Sequence, residues 1–165
     1  MTNKKNEIKY GALIIARYLL SLDKDKKYFS NKKMANRSII KGNFRLNQML
    51  YLLQIFYYLE YKSKLFNDNL YALENGVVVY SVYTRFWELY FQKNGQDANI
   101  IRNEDKKIID KFFEHLKAVP DRVLQEFSYN DPAWSSTWAV SDQPNIHFTS
   151  KKNLETYQRF YSHWL

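Results

Sequence analysis

Residues 44–61, FRLNQMLYLLQIFYYLEY, decide the fold of this chain. At helical periodicity Leu46, Met49, Leu50, Leu53, Tyr57 and Tyr61 share one face, and Leu52, Phe56 and Leu59 widen it. A helix apolar around most of its circumference has to be enclosed by other elements. The segment is therefore predicted to be the core helix of a bundle.

Upstream, Ile8, Ala12, Ile15, Leu19 and Leu22 recur in steps of four and three, which predicts a first helix. Gly11 falls inside it, at a cost of about 1 kcal/mol relative to alanine, and so implies close packing against a neighbour. From Asp23 to Asn43 the pattern dissolves into charge and asparagine, a long connection with a short helical turn expected near Met34 to Ile40.

Downstream, Asn67-Asp68-Asn69 reads as a turn, and Leu70 to Glu74 leads into Asn75-Gly76 and Val77-Val78-Val79. Asn-Gly before a β-branched run is a tight-hairpin signal, which would pair 70–74 with 77–80. The competing reading starts a helix near Val78, because Val79, Val82, Tyr83, Phe86 and Tyr90 keep helical spacing. The spacing favours the helix, with one short strand ahead of it.

Glu104 and Asp105 at the start and Lys117 at the end give a further helix a dipole-compatible order, with Ile108, Ile109, Phe112, Phe113 and Leu116 inward. Pro120 suits the first position of a short helix through Phe127, and Asp131-Pro132 starts a short turn carrying Trp134 and Trp138. Thr149 or Ser150 caps a last helix with Leu154, Tyr157, Tyr161 and Trp164 inward. The expected fold is mainly α: a compact single-domain helical bundle of about five to seven helices, with room for one short β-hairpin or strand around residues 70–79. The single domain would span 1–165, divided into a basic N-terminal helix and loop (1–45), a motif-bearing core (46–138) and a C-terminal helix (150–164).

Composition agrees with that class. Apolar residues make up 45% and aromatics 18% of 165 residues, more aromatic surface than a chain leaves in water. Four Gly and three Pro leave little for the turns of a many-stranded sandwich. Cysteine is absent, which excludes disulfides, thiol nucleophiles and thiolate metal sites. The apolar stretch Ala12 to Leu22 is broken by Arg17 and Tyr18, so neither a signal peptide nor a membrane span is expected and the chain reads as cytoplasmic.

The net charge of +8 is uneven: residues 1–45 hold 12 Lys/Arg against 3 Asp/Glu, a balance of +9, and the remainder is close to neutral. Lys24, Lys26, Lys27, Lys32, Lys33, Arg37 and Lys41 form a dense patch. Such a patch attracts phosphates or an acidic protein, while lysine- and asparagine-rich codon usage would produce the same residues as a plain solvated loop. Nucleic acid is accordingly an alternative partner, although neither helix-turn-helix spacing nor an aromatic RNA-binding strand accompanies the charge.

Catalytic signatures are missing. His115, His147 and His163 lack metal-chelating spacing, Ser135-Ser136-Thr137 lacks a base, and the glycines at 11, 42, 76 and 95 are too scattered for a phosphate loop. Glu104, Asp105, Asp110 and Glu114 fit the solvent face of an amphipathic helix. No metal or cofactor is expected, and no enzyme activity.

One set of motifs points further. Leu46-Asn47-Gln48-Met49-Leu50-Tyr51-Leu52-Leu53-Gln54 is followed by Leu65-Phe66, Ala72, Gly76-Val77-Val78, Val82-Tyr83 and Phe86, then by Leu124, Ser128-Tyr129 and Pro132-Ala133-Trp134. In order and spacing this resembles the Panacea domain, the SocA-like antitoxin family also known as phage-associated proteins. Gln48, Val77 and Tyr129 stand where the family has lysine, proline and histidine; a tyrosine cannot titrate near neutral pH as an imidazole would. The resemblance implies a helical, non-catalytic domain that binds and neutralises a toxin encoded beside it, or presents that toxin to a protease. Tyr51, Gln54, Gly76, Tyr83 and Trp134 are the positions it marks for partner binding; each also suits a purely structural role.

Overall fold

A computed structural model describes residues 10–35, 38–95, 97–140 and 144–164. Ile8, Arg37 and the Trp164 side chain, which the sequence reading uses, lie outside the described residues. The elements run α1 (Ala12–Leu22), α2 (Lys41–Tyr61), β1 (Leu70–Leu73), β2 (Gly76–Val79), α3 (Tyr80–Tyr83), α4 (Phe86–Phe91), α5 (Asn103–Leu116), α6 (Asp121–Asn130), α7 (Pro132–Trp138), β3 (Asn145–Ile146) and α8 (Lys151–Tyr161), with 3₁₀ turns at Ala98–Ile100 and Ser162–Trp164. The molecule is mainly α, and its three strands form one antiparallel sheet in the order β2-β1-β3.

The core helix is where its apolar circumference predicts. Every residue from Phe44 to Ile55 is buried, and α2 touches α1, α3, α5, α6, α8 and β2. Its first turn approaches the preceding loop so closely that a Cβ on Gly42 would stand 2.5 Å from the Phe29 carbonyl carbon. One hydrophobic cluster then runs from Tyr10 through α2 to Tyr161.

Burial on all sides encloses polar groups too, and most of their donors and acceptors are matched, the Arg45 Nε–H being one exception. Arg45 donates to the carbonyls of Leu116 (3.3 Å), Lys117 (2.8 Å) and Val119 (2.7 Å) and pairs with Asp121 at 2.7 Å, placing a cation at the C-terminal end of α5. Asn47 Oδ1 accepts the Val79 N–H at 2.9 Å, and so ties α2 to β2.

Four local expectations are corrected. Gly11 is the residue before α1 and is exposed, with open space where a Cβ would point; the helix cap comes instead from Asp68 Oδ1, which accepts the Ala12 N–H at 2.8 Å. In place of a helical turn near Met34 to Ile40, the described residues there form a bridge between Lys33 and Ile40. The hairpin and the helix both form: β1 and β2 pair in register from Leu70↔Val79 to Leu73↔Gly76, and helix begins at Tyr80, not Val78. Asp105 and Asp110 do not face solvent as a pair. Asp105 is buried and accepts the hydroxyls of Tyr10 (2.8 Å) and Tyr57 (2.9 Å), while Asp110 accepts Tyr18 (2.5 Å). Tyrosines on neighbouring elements supply donors that periodicity does not register.

Among the described residues, no helix is long and apolar enough to cross a membrane.

Candidate functional site: an aromatic face beside the hairpin

The motif residues gather around the hairpin and lock it to the helices. Gly76 takes φ +126°, and a Cβ there would stand 2.7 Å from both Gln48 Nε2 and Ser128 Oγ, so only glycine fits between α2 and α6. Trp134, in α7, donates its Nε1–H to the Leu73 carbonyl at 2.7 Å on the other strand and stacks on Trp138. Asp131 caps α7 by accepting the Ala133 N–H at 2.9 Å.

Gln54 works on the next segment. Its Nε2 donates to the Phe66 carbonyl at 2.7 Å, and its Oε1 accepts the N–H of Leu65 (2.8 Å) and of Phe66 (3.3 Å). The Leu65 carbonyl in turn accepts the Tyr10 N–H at 3.1 Å, so one buried amide holds the segment to which the start of the described chain is bridged. Tyr51 is fully enclosed. Its hydroxyl meets that of Tyr157 at 3.2 Å, and burial pushes its titration well above the ordinary tyrosine range. Burial likewise pushes the Asp131 carboxyl up to about 6, against the hydrogen bond from the Ala133 N–H that favours the charged form.

Of the five marked positions, Tyr51, Gln54, Gly76 and Trp134 thus lie inside the fold, and Tyr83 lies on its surface at 36% exposure. The structure brings Gly76 and Trp134 to the same hairpin, whereas Tyr51 and Gln54 act elsewhere along α2.

What the hairpin positions is the aromatic surface that follows it. Tyr80, Tyr83, Trp87 and Phe91 are all exposed along α3 and α4, Phe91 at 73%. The rings support one another: Tyr71 packs on Tyr80 at 4.6 Å between centroids, Trp87 stacks on Phe91 at 5.9 Å, and Tyr90 meets Phe91 edge-on at 5.0 Å. Val82, Phe86 and Leu89 face the core. The sequence reading takes Tyr83 and Tyr90 into the inward stripe and passes over Tyr80, Trp87 and Phe91. The available signal is the remainder: large aromatics off the core stripe of a short helix have nowhere to go but out.

The basic patch divides. Lys24, Lys26 and Lys27 are exposed in the loop after α1, and Lys32 and Lys33 are exposed beyond the buried Phe29 and Ser30. Lys41 is half-buried and lies 3.5 Å from Asp121. Of these, Lys26 reaches α4: its Nζ donates to the Tyr90 carbonyl at 2.7 Å and lies 4.0 Å from that ring's centre.

Among the described residues, no three His, Cys, Asp or Glu side chains converge as metal ligands. Asp23, Asp105 and Asp131, the buried carboxylates, are bound by backbone N–H groups or tyrosine hydroxyls.

No curated protein and no solved structure matches the chain. A family model does: the antitoxin SocA-like Panacea domain matches residues 46–135, which runs from the heart of α2 through the hairpin and the aromatic face to Trp134 and Ser135. With more than half of its length covered by that match, the chain belongs to the SocA-like antitoxin family of Panacea domains.

Proposed function

We propose that this chain is a non-catalytic, antitoxin-type binding domain that captures a protein toxin on the aromatic face of α3 and α4 and neutralises it by occlusion. Family membership supports the antitoxin class. The observation that carries the surface is the run Tyr80, Tyr83, Trp87 and Phe91, exposed over the two short helices behind the hairpin. Tryptophan and tyrosine anchors surrounded by polar residues are the composition of protein-binding hot spots. A water-soluble domain has no folding reason to keep a tryptophan and a phenylalanine stacked on each other in solvent.

The buried motif residues support the same reading from behind. They fix the hairpin between α2, α6 and α7, so the face is rigid before it meets a partner and little ordering entropy is lost on binding. Neutralisation then requires no bond to be made or broken by this chain, and toxin and antitoxin meet in the cytoplasm where both are made. Co-expression with the product of the adjacent gene tests this: the neighbour should be toxic alone, rescued by this chain, and recovered in complex with it. A harmless neighbour that forms no complex overturns the proposal.

A further inference from the structure

A groove of about 510 Å³ lies next to the aromatic face, between the end of α1, the loop after it and the end of α4. Its apolar lining comes from Leu20, Leu22, Phe29 and Tyr90, and its rim carries Lys24 and Lys26. The loop that forms the rim is built rather than slack. Asp23 accepts the N–H groups of Lys27 (3.0 Å), Tyr28 (3.0 Å) and Phe29 (2.8 Å), and Lys26 turns the chain with φ +51°. That use of Asp23 leaves Lys-Asp-Lys-Lys at 24–27, a balance of +2, as the exposed charge of the rim.

The donors on the rim point to what fits. The Lys26 ammonium has three N–H donors, of which one is engaged by the Tyr90 carbonyl. Apolar walls and a cationic rim are the complement of a peptide segment that carries an apolar side chain and carboxylates.

Resting on the protein-partner reading above, we infer that this groove takes an acidic segment of the partner, with an aliphatic or aromatic side chain seated against Leu20, Leu22, Phe29 and Tyr90 and flanking carboxylates on Lys24 and Lys26. Nucleic acid fits the same charges less well. One face of the Tyr90 ring is covered by Lys26, and Trp87 and Phe91 cover one face of each other, which removes ring faces that bases would stack upon.

The test is selection of random dodecapeptides, displayed on phage, against the full chain at low salt. The enriched peptides should be acidic with at least one large apolar residue. Lys24→Glu/Lys26→Glu should weaken their binding by about tenfold or more without lowering the melting temperature. Lys26→Gln, which keeps a donor for the Tyr90 carbonyl, should show part of that loss and so separates charge from loop structure. No enrichment, enrichment without acidic bias, or binding indifferent to the charge reversal overturns the inference. So does an oligothymidylate that competes for the groove with higher affinity. The two readings fail differently: a toxin complex lost with Trp87→Ala/Phe91→Ala but intact with Lys24→Glu/Lys26→Glu removes the acidic segment and leaves the antitoxin reading, whereas acidic peptides bound by a chain that ignores its neighbour's product remove the antitoxin reading alone.

Discussion

Gln54 separates a scaffold role from a partner-contact role, and its replacement by leucine shows how. The side chain is buried and makes three hydrogen bonds to the backbone of Leu65 and Phe66, so Gln54→Leu keeps the bulk but leaves two N–H groups and one carbonyl without their partner. An orphaned buried group costs about 1–3 kcal/mol, and local relaxation recovers some of it; a total of about 3 kcal/mol is expected. For a domain of this length that lowers Tm by roughly 6–12 °C. The loss should extend to the contact at Tyr10, whose N–H is held by the Leu65 carbonyl and whose hydroxyl reaches Asp105. Thermal melts and guanidinium titrations followed by circular dichroism give the number directly. Below its lowered Tm, the variant should still bind its partner with near-normal affinity, because Gln54 does not reach the surface. A variant with unchanged stability but lost binding would refute the scaffold assignment.

Three further outcomes follow from the same geometry. Gly76→Ala places a methyl group against Gln48 and Ser128 at positive φ and should destabilise by about 2–4 kcal/mol in the same titrations; no change would mean the hairpin turn is not fixed as described. Trp134→Phe removes the donor to the Leu73 carbonyl and should cost about 1–2 kcal/mol, with the loss visible as faster amide exchange in β1. Asp131 titrates near 6 in the fold against an ordinary 3.8, so its share of the stability is complete below pH 4 and is lost as pH rises through 6, up to about 3 kcal/mol. Asp131→Asn retains a competent helix cap. The difference in unfolding free energy between variant and parent should therefore grow in the variant's favour from pH 4 to pH 7; a flat difference would show that Asp131 is not held by burial.

Much of the architecture was legible because burial leaves a periodic trace. The apolar circumference of residues 44–61 announced an enclosed helix, and the cap expected at Thr149 or Ser150 is made by Ser150; the cap at Asp131, where the sequence marks only the start of a turn, is an addition of the structure. Turn chemistry and helical spacing were both right between residues 70 and 90, and set against each other only because hairpin and helix were read as rivals; Val79 is the last residue of one and the residue before the other. Gly11 misled because periodicity counts a residue just outside a helix as though it were within.

The site was less legible. The motif order led to Gly76 and Trp134, but a motif records where a family is constrained, and here much of that constraint is structural: a missing Cβ, an indole N–H aimed at a carbonyl. The exposure of Trp87 and Phe91 is completed by tertiary placement; its local sign is only that both lie off the stripe of Val82, Phe86 and Leu89. The roles of Asp23 and Asp105 were hidden for a related reason. Their partners are backbone groups in a loop with no period, or tyrosines many residues away.

The claim that the rest depends on is that Trp87 and Phe91 are the partner's anchors. The affinity of the complex with the adjacent gene's product, measured by titration calorimetry for the parent and for Trp87→Ala/Phe91→Ala, tests it most directly. Loss of two central anchors should weaken Kd by about 30-fold or more, a change of at least 2 kcal/mol, with Tm nearly unmoved because both rings are exposed. A complex of undiminished affinity would contradict the account.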